Sequence, residues 1–93
     1  MPQKIGIVGS GLIGRSWSMI FASAGFDIAL YDVVPDAVDN ALQLIKQQLE
    51  SLENDGLLRG HLTAAQQFSH ISKVSTLQQC VDNTIHIQVS SSY

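Results

Sequence analysis

The sequence predicts an α/β fold in which about four parallel strands form one sheet with helices on both of its faces. Short apolar runs alternate with longer segments of helical period, an arrangement typical of parallel β-α-β units. A glycine-rich segment follows the first apolar run, at the point where a strand would lead into a helix. Right-handed crossovers would then make these units the first half of a doubly wound sheet.

Length and composition limit the chain to one small domain. It has 93 residues, of which 45% are hydrophobic and 14% are charged, and this balance fits a single packed core rather than a disordered chain. The formal net charge is −3 with only five Lys and Arg residues. Because no basic patch can form from so few cations, nucleic acid is not expected as a partner.

The cysteine content and the N-terminal residues indicate the cellular compartment of the protein. Cys80 is the single cysteine, so it has no partner for an internal disulfide or a cysteine metal cluster, and we interpret it as a small buried residue in a reducing compartment. The first strand is predicted within a few residues of Met1, which leaves no room for a signal peptide, and no apolar run is long enough for a membrane span. We expect a cytoplasmic protein.

The first half of the chain predicts two strands, each followed by a helix. Residues 4–8 form the first strand, and the first helix runs from near Gly11 to just before Gly25, where a left-handed residue would end it. Residues 27–31 form the second strand, and a long second helix begins near Pro35. Five residues of the first helix are predicted to face the sheet: Ile13, Trp17, Ile20, Phe21 and Ala24.

The second half of the chain predicts shorter elements. Gly56 should end the long helix, and Thr63 should open a short third helix through a capping box. A third strand near residues 71–74, a short helix after Thr76 and a fourth strand over residues 84–89 complete the fold. With the sheet order 3-2-1-4, the fourth strand lies at the edge and presents an apolar face: Ile85, Ile87 and Val89.

The glycine-rich segment, Gly9 to Gly14, matches the pattern Gly-x-Gly-x-x-Gly of dinucleotide-binding turns. Gly9 would permit the tight turn, Gly11 would let a pyrophosphate approach the backbone, and Gly14 would let the helix pack close to the strand. The amides of Leu12 and Ile13 would point at the phosphates from the first turn of the helix. The alternative is a glycine turn that serves packing alone.

Asp32 closes the second strand at the distance where an acidic residue meets the adenosine ribose. Its charge would repel a 2′-phosphate, which favours NAD over NADP; the alternative is that Asp32 only caps the turn into the second helix. The predicted cofactor-binding residues are Gly9, Ser10, Gly11, Leu12, Ile13, Gly14 and Asp32. The three histidines are dispersed, at positions 61, 70 and 86, so no catalytic residue and no metal site is predicted.

Four segments together resemble the 3-hydroxyacyl-CoA dehydrogenase family: residues 7–17, 21–26, 30–32 and 85–88. The stretch Gly14-Arg15-Ser16-Trp17 is more specific than the glycine pattern itself. The resemblance implies a full-length, cytosolic, homodimeric enzyme that oxidises L-gulonate to 3-dehydro-L-gulonate with NAD, and that some animals also use as a structural protein of the lens.

The resemblance also implies roles for particular residues. Leu12, Ile13 and Asp32 match the family's NAD contacts, whereas the family's catalytic histidine and glutamate, and its helical dimerisation domain, would lie further downstream. From Val89 onward the sequence departs from the family's acidic, proline-containing loop.

We therefore expect residues 1–93 to form a single, incomplete Rossmann domain, truncated after the fourth strand, that binds NAD and is catalytically inactive alone. Hydride transfer needs a positioned substrate and a general base. Two alternatives stay open. One is a non-catalytic structural or interaction fragment that pairs through the exposed edge of the fourth strand. The other is a product that does not fold stably.

Overall fold

A computed structural model of the chain describes residues 2–90, which contain four strands and four helices. The strands are β1 (Lys4–Val8), β2 (Asp27–Tyr31), β3 (Ile71–Lys73) and β4 (Thr84–Val89). The helices are α1 (Leu12–Ser23), α2 (Pro35–Asn54), α3 (Ala64–Ser69) and α4 (Leu77–Val81). All strand pairs are parallel and the sheet order is β3-β2-β1-β4, which confirms the predicted fold class.

The helices cover both faces of the sheet, as predicted. On one face Phe21 of α1 lies against His86, the register partner of Ile5, and α2 and α3 pack beside α1. On the other face the Sγ atom of Cys80 in α4 lies 3.3 Å from the carbonyl oxygen of Ala29. A Cβ atom at Gly6 would collide with the backbone of Cys80, so the absence of a side chain lets α4 approach β1.

The hydrophobic core lies between the sheet and the three helices α1, α2 and α3. The long helix α2 supplies a row of buried residues at helical spacing, and the central strands supply the residues opposite. These core residues are Ile5, Ile7, Ala22, Ile28, Leu30, Val38, Ala41, Ile45, Leu49, Ala64 and Ile71.

The helix ends agree with the predicted signals. Gly25 and Gly56, which follow α1 and α2, have φ values of +92° and +71° in the left-handed region. Thr63 and Thr76 each form a capping box with the residue three positions on, so α3 and α4 begin where the sequence places them. None of the helices described is both long and apolar enough to cross a bilayer.

The predicted sheet-facing side of α1 is partly wrong. Ile13, Ile20 and Ala24 are exposed, and the buried residues are instead Gly14, Ser18 and Ala22. Trp17 and Phe21 are partly buried against the core, and their rings stack at 5.6 Å. The close packing on this side of α1, where a Cβ at Gly14 would overlap the carbonyl oxygen of Gly9, selects small residues.

The strand β4 is exposed, as its position predicts. It pairs with β1 on one side, and among residues 2–90 no strand pairs with its other side. Three apolar residues of β4 lie on the face of the sheet against which α4 packs. Ile85, Ile87 and Val89 are 54%, 42% and 67% exposed. The edge therefore presents both unpaired backbone groups and apolar side chains.

Candidate functional site

The glycine turn joins the end of β1 to the start of α1 at the carboxyl edge of the sheet. Gly9 has a φ of +106° and its N–H donates to the carbonyl oxygen of Tyr31, at 2.8 Å, which fixes the turn against the end of β2. At the other side of the turn, the N–H of Ser90 donates to the carbonyl oxygen of Val8 at 2.8 Å. The turn is thus held between its two neighbouring strands.

The glycines differ in the space around them. A Cβ atom at Gly9 would overlap the carbonyl oxygen of Ser90, and one at Gly14 would overlap the carbonyl oxygen of Gly9. At Gly11 a Cβ would meet no atom within 4 Å. Packing within the chain therefore explains why glycine is required at positions 9 and 14. At Gly11 packing does not explain it, because there is open space on the solvent side of the turn.

Donors for an anion stand beside that space. The N–H of Arg15 gives the first backbone hydrogen bond of α1, to the carbonyl oxygen of Gly11 at 2.9 Å, so the amides of Leu12 and Ile13 precede the hydrogen-bonded ladder. No side chain caps this end of the helix. Both amides lie at the positive end of the helix dipole, which suits the negative charge of a phosphate.

Asp32 faces the turn from the end of β2. Its Oδ2 atom accepts hydrogen bonds from the N–H and the hydroxyl of Ser10, both at 2.8 Å, and its Oδ1 atom accepts one from the N–H of Val34 at 3.0 Å. Partial burial by itself would raise the pKa of Asp32, but these donors outweigh it and the pKa is lowered. Asp32 therefore stays ionised at neutral pH and joins the glycine turn to the start of α2.

A small cleft opens beside Asp32, between β2, α2 and the segment after β3. It has a volume of about 140 Å³, and Val38 and Val74 supply apolar walls. Lys73 also lines it, but its ammonium group is paired with both carboxylate oxygens of Asp39 at 3.1 Å. Sequence reasoning missed these residues as part of a site; the sheet order 3-2-1, which places the end of β3 beside the end of β2, was the available signal.

His70 and His86 lie away from the glycine turn. His70 pairs with Asp27, Nδ1 to Oδ1 at 2.8 Å, at the amino end of β2 and so at the opposite edge of the sheet from Asp32. His86 lies on the sheet face against Phe21, with the ring centroids 5.8 Å apart. Within residues 2–90, no three His, Cys, Asp or Glu side chains come together in a group that could hold a metal ion.

A larger cleft of about 310 Å³ lies between α1 and α2, next to the connector that follows α2. Leu49, Leu52 and Leu57 contribute much of its apolar lining, and none of the predicted cofactor-binding residues lines it. The chemistry of the glycine turn and Asp32, rather than the size of a cavity, therefore identifies the candidate site.

A glycine turn before a helix N-terminus, with an acidic residue at the end of the second strand, defines the class of dinucleotide-binding domains. The model of the family described as 3-hydroxyacyl-CoA dehydrogenase, NAD binding domain, matches residues 4–89, and the chain belongs to that family. NAD is accordingly the cofactor of this domain, and dehydrogenases are among its relatives.

The similar proteins are longer than this chain. Lambda-crystallin of Oryctolagus cuniculus is 48% identical over 82 residues, covering 88% of this chain and 26% of the relative. L-carnitine dehydrogenase of Streptomyces griseus is 32% identical, covering 96% and 25%. The crystal structure of 3-hydroxybutyryl-CoA dehydrogenase from Escherichia coli aligns with a TM-score of 0.83 at 24% identity, covering 100% and 20%. The chain thus spans about a quarter of the length of the curated relatives it matches.

Proposed function

We propose that this chain is the NAD-binding portion of an NAD-dependent dehydrogenase that acts on a CH–OH group. The residues that would hold the cofactor are Gly9, Ser10, Gly11, Leu12, Ile13, Gly14 and Asp32. The observation that carries the proposal is the open space at Gly11, next in the chain to the first-turn amides of α1 and to Ser10, which is hydrogen-bonded to the carboxylate of Asp32.

Each part of the turn would have a separate task. Leu12 and Ile13 would donate their amides to the pyrophosphate, which Gly11 lets approach. Asp32 would accept hydrogen bonds from the adenosine ribose, and Val38 and Val74 offer apolar walls for the adenine. Bound NAD would supply the acceptor for a hydride.

Charge favours NAD over NADP at this site. Asp32 is ionised and Asp39 lies close by through its pair with Lys73, so a 2′-phosphate would meet two carboxylates and a cation that is already neutralised. Like charges repel, and a phosphate adds a further charge of nearly −2.

We propose further that the dehydrogenase is of the L-gulonate 3-dehydrogenase type, working as a cytoplasmic homodimer in its full-length form, with a hydroxy acid as substrate. The family membership and the likeness to lambda-crystallin support this. On residues 1–93 alone we expect a single NAD-binding domain without dehydrogenase activity. Neither His70 nor His86 lies at the carboxyl edge beside the turn, where a general base would be needed.

Calorimetric titration of the chain with NAD and with NADP tests the cofactor proposal. We expect saturable heat with NAD. Binding of NADP should be at least about tenfold weaker, because its negative 2′-phosphate is repelled by the negative carboxylate at this partly exposed site. The site variant Gly11→Val places a side chain in the open space and should abolish the heat while the thermal melt stays cooperative. No heat at millimolar NAD, on a sample with a cooperative melt, would contradict the proposal.

A second candidate is a non-catalytic, structural or interaction role through the outer edge of β4. The exposed Ile85, Ile87 and Val89 favour it, because an uncharged apolar edge strand readily pairs with another chain. The two candidates are separable, since the edge and the glycine turn use different residues.

A further inference from the structure

The carboxylate of Asp32 is already well supplied with hydrogen-bond donors from its own chain. Its Oδ2 atom accepts two, from the backbone N–H and from the hydroxyl of Ser10, and its Oδ1 atom accepts one from the N–H of Val34. A carboxylate offers about four acceptor sites in all, roughly two on each oxygen. At most one site, on Oδ1, is left, because the N–H of Val33 also acts on this carboxylate.

A ribose brings more donors than this single site can satisfy. Its adjacent 2′- and 3′-hydroxyl groups can both donate to one carboxylate, each to a different oxygen. The Oδ2 atom would then have to receive a third hydrogen bond or lose one of the two that it has. Full contact between Asp32 and a diol therefore requires that one resident donor leaves.

The three resident donors differ in their freedom to leave. The N–H groups of Ser10 and Val34 are fixed by the glycine turn and by the entry to α2, and a partly buried amide without an acceptor is costly. The hydroxyl of Ser10 turns about a single side-chain bond. It can also accept a hydrogen bond once it has stopped donating to Asp32.

We propose that the Ser10 hydroxyl occupies the place of a ribose hydroxyl on Asp32, and that it rotates away when a nucleotide with a free 2′,3′-diol binds. This inference rests on the proposed function of the site. Ser10, which is 5% exposed, is then a specificity-determining residue. Its hydroxyl weakens the binding of ligands that carry the diol and leaves other ligands unaffected, while its backbone N–H keeps Asp32 in position.

The test compares Ser10→Ala with the wild type, using NAD and an NAD analogue that lacks both hydroxyls of the adenosine ribose. We expect Ser10→Ala to bind NAD about three- to tenfold more tightly, as the loss of one competing hydrogen bond would allow. Its affinity for the dideoxy analogue should equal that of the wild type. Thermal melts verify that each sample is folded, and Ser10→Gly, which also lacks the hydroxyl, replaces the alanine variant if that one fails to fold.

The outcomes separate this inference from the cofactor proposal. If the wild type binds NAD but Ser10→Ala binds it equally or less tightly, or gains as much affinity for the dideoxy analogue as for NAD, the displacement is wrong and the cofactor proposal stands. If a folded wild type binds no NAD at all, the cofactor proposal is wrong and the displacement fails with it.

Discussion

The two neighbours of β1 differ in how completely the chain covers them. On one side, Ile28, Ala29 and Leu30 of β2 are at most 3% exposed, because α1 and α2 cover one face, α4 covers the other and β3 pairs with the outer edge. On the other side, most of β4 is exposed. The strand β2, which leads to Asp32, is thus covered on both faces and at its edge by residues 2–90, whereas the outer edge of β4 is exposed.

This contrast separates two properties of the chain. The glycine turn is held between the end of β2 and Ser90, whereas Asp32 and the cleft beside it lie on the covered side, among β2, α2 and the segment after β3. We therefore expect dinucleotide binding to involve no contact with the outer edge of β4. Association with another chain would use that edge and leave the turn free.

The largest expected effect is on folding, from Gly14→Ala. A helical glycine replaced by alanine normally gains about 1 kcal/mol, but here the new Cβ would overlap the backbone oxygen of Gly9, which has no room to move. Overpacking of this kind costs about 3 kcal/mol. The melting temperature should fall by more than about 10 °C in a domain of this size.

The matched control is Gly11→Ala in the same turn. Gly11 has a φ of −70° and open space around it, so the free energy of unfolding should fall by no more than about 1 kcal/mol, the cost of alanine at the N-cap of α1. Equal losses of stability in the two variants would contradict the assignment of separate tasks to the two glycines.

The next effect is on the site, from Asp32→Asn. The amide keeps the size of the side chain but loses the charge and one acceptor, so the affinity for NAD should fall by about tenfold or more, the loss expected for hydrogen bonds to a charged group. Calorimetric titration measures it, with Asp36→Asn as control, because Asp36 is an exposed carboxylate in the first turn of α2.

The pH dependence of stability sharpens this prediction. Since the pKa of Asp32 is lowered in the folded chain, its ionised form stabilises the fold above the unfolded pKa, and this contribution is lost as the pH falls through the folded pKa. The difference in unfolding free energy between the wild type and Asp32→Asn should therefore be constant above about pH 5 and shrink below about pH 4. A difference that grew on acidification would have the wrong sign.

The smallest expected effect on the domain itself is from Ile85→Lys, at the outer edge. The side chain is 54% exposed, so stability should change by less than about 0.5 kcal/mol. If the edge pairs with a second chain, sedimentation velocity should show association of the wild type that rises with concentration and is lost in Ile85→Lys. The control is Leu57→Lys, at an exposed apolar residue outside β4, which should leave association unchanged. A wild type that is monomeric at all concentrations would rule out self-association through this edge.

The sequence predicted those parts of the fold that depend on local patterns. The strand β1, the glycine turn, α1 and β2 follow directly from periodicity and glycine spacing, and the capping boxes at Thr63 and Thr76 fix the short helices. Residues 9–14 and Asp32 lie together at one edge because the carboxyl ends of adjacent parallel strands must meet there.

What the sequence did not predict depends on close packing and on residues distant in the chain. Helical periodicity favoured the large residues Ile13 and Ile20 for the sheet-facing side of α1, but the short distance to the sheet selects small ones. The contact between the backbone N–H of Ser10 and Asp32 spans 22 positions and follows from the turn geometry. Lys73 and Val74 reach the site only through the sheet order.

The most direct test of the central claim, that the covered half of the sheet holds the dinucleotide without the outer edge, is an amide ¹H–¹⁵N NMR titration with NAD. We predict saturable shifts at residues 9–14 and 31–34, smaller ones around residues 73–75, and none along the outer edge of β4. Shifts that cluster at the cleft between α1 and α2, or a well-dispersed spectrum that NAD does not change, would contradict the account.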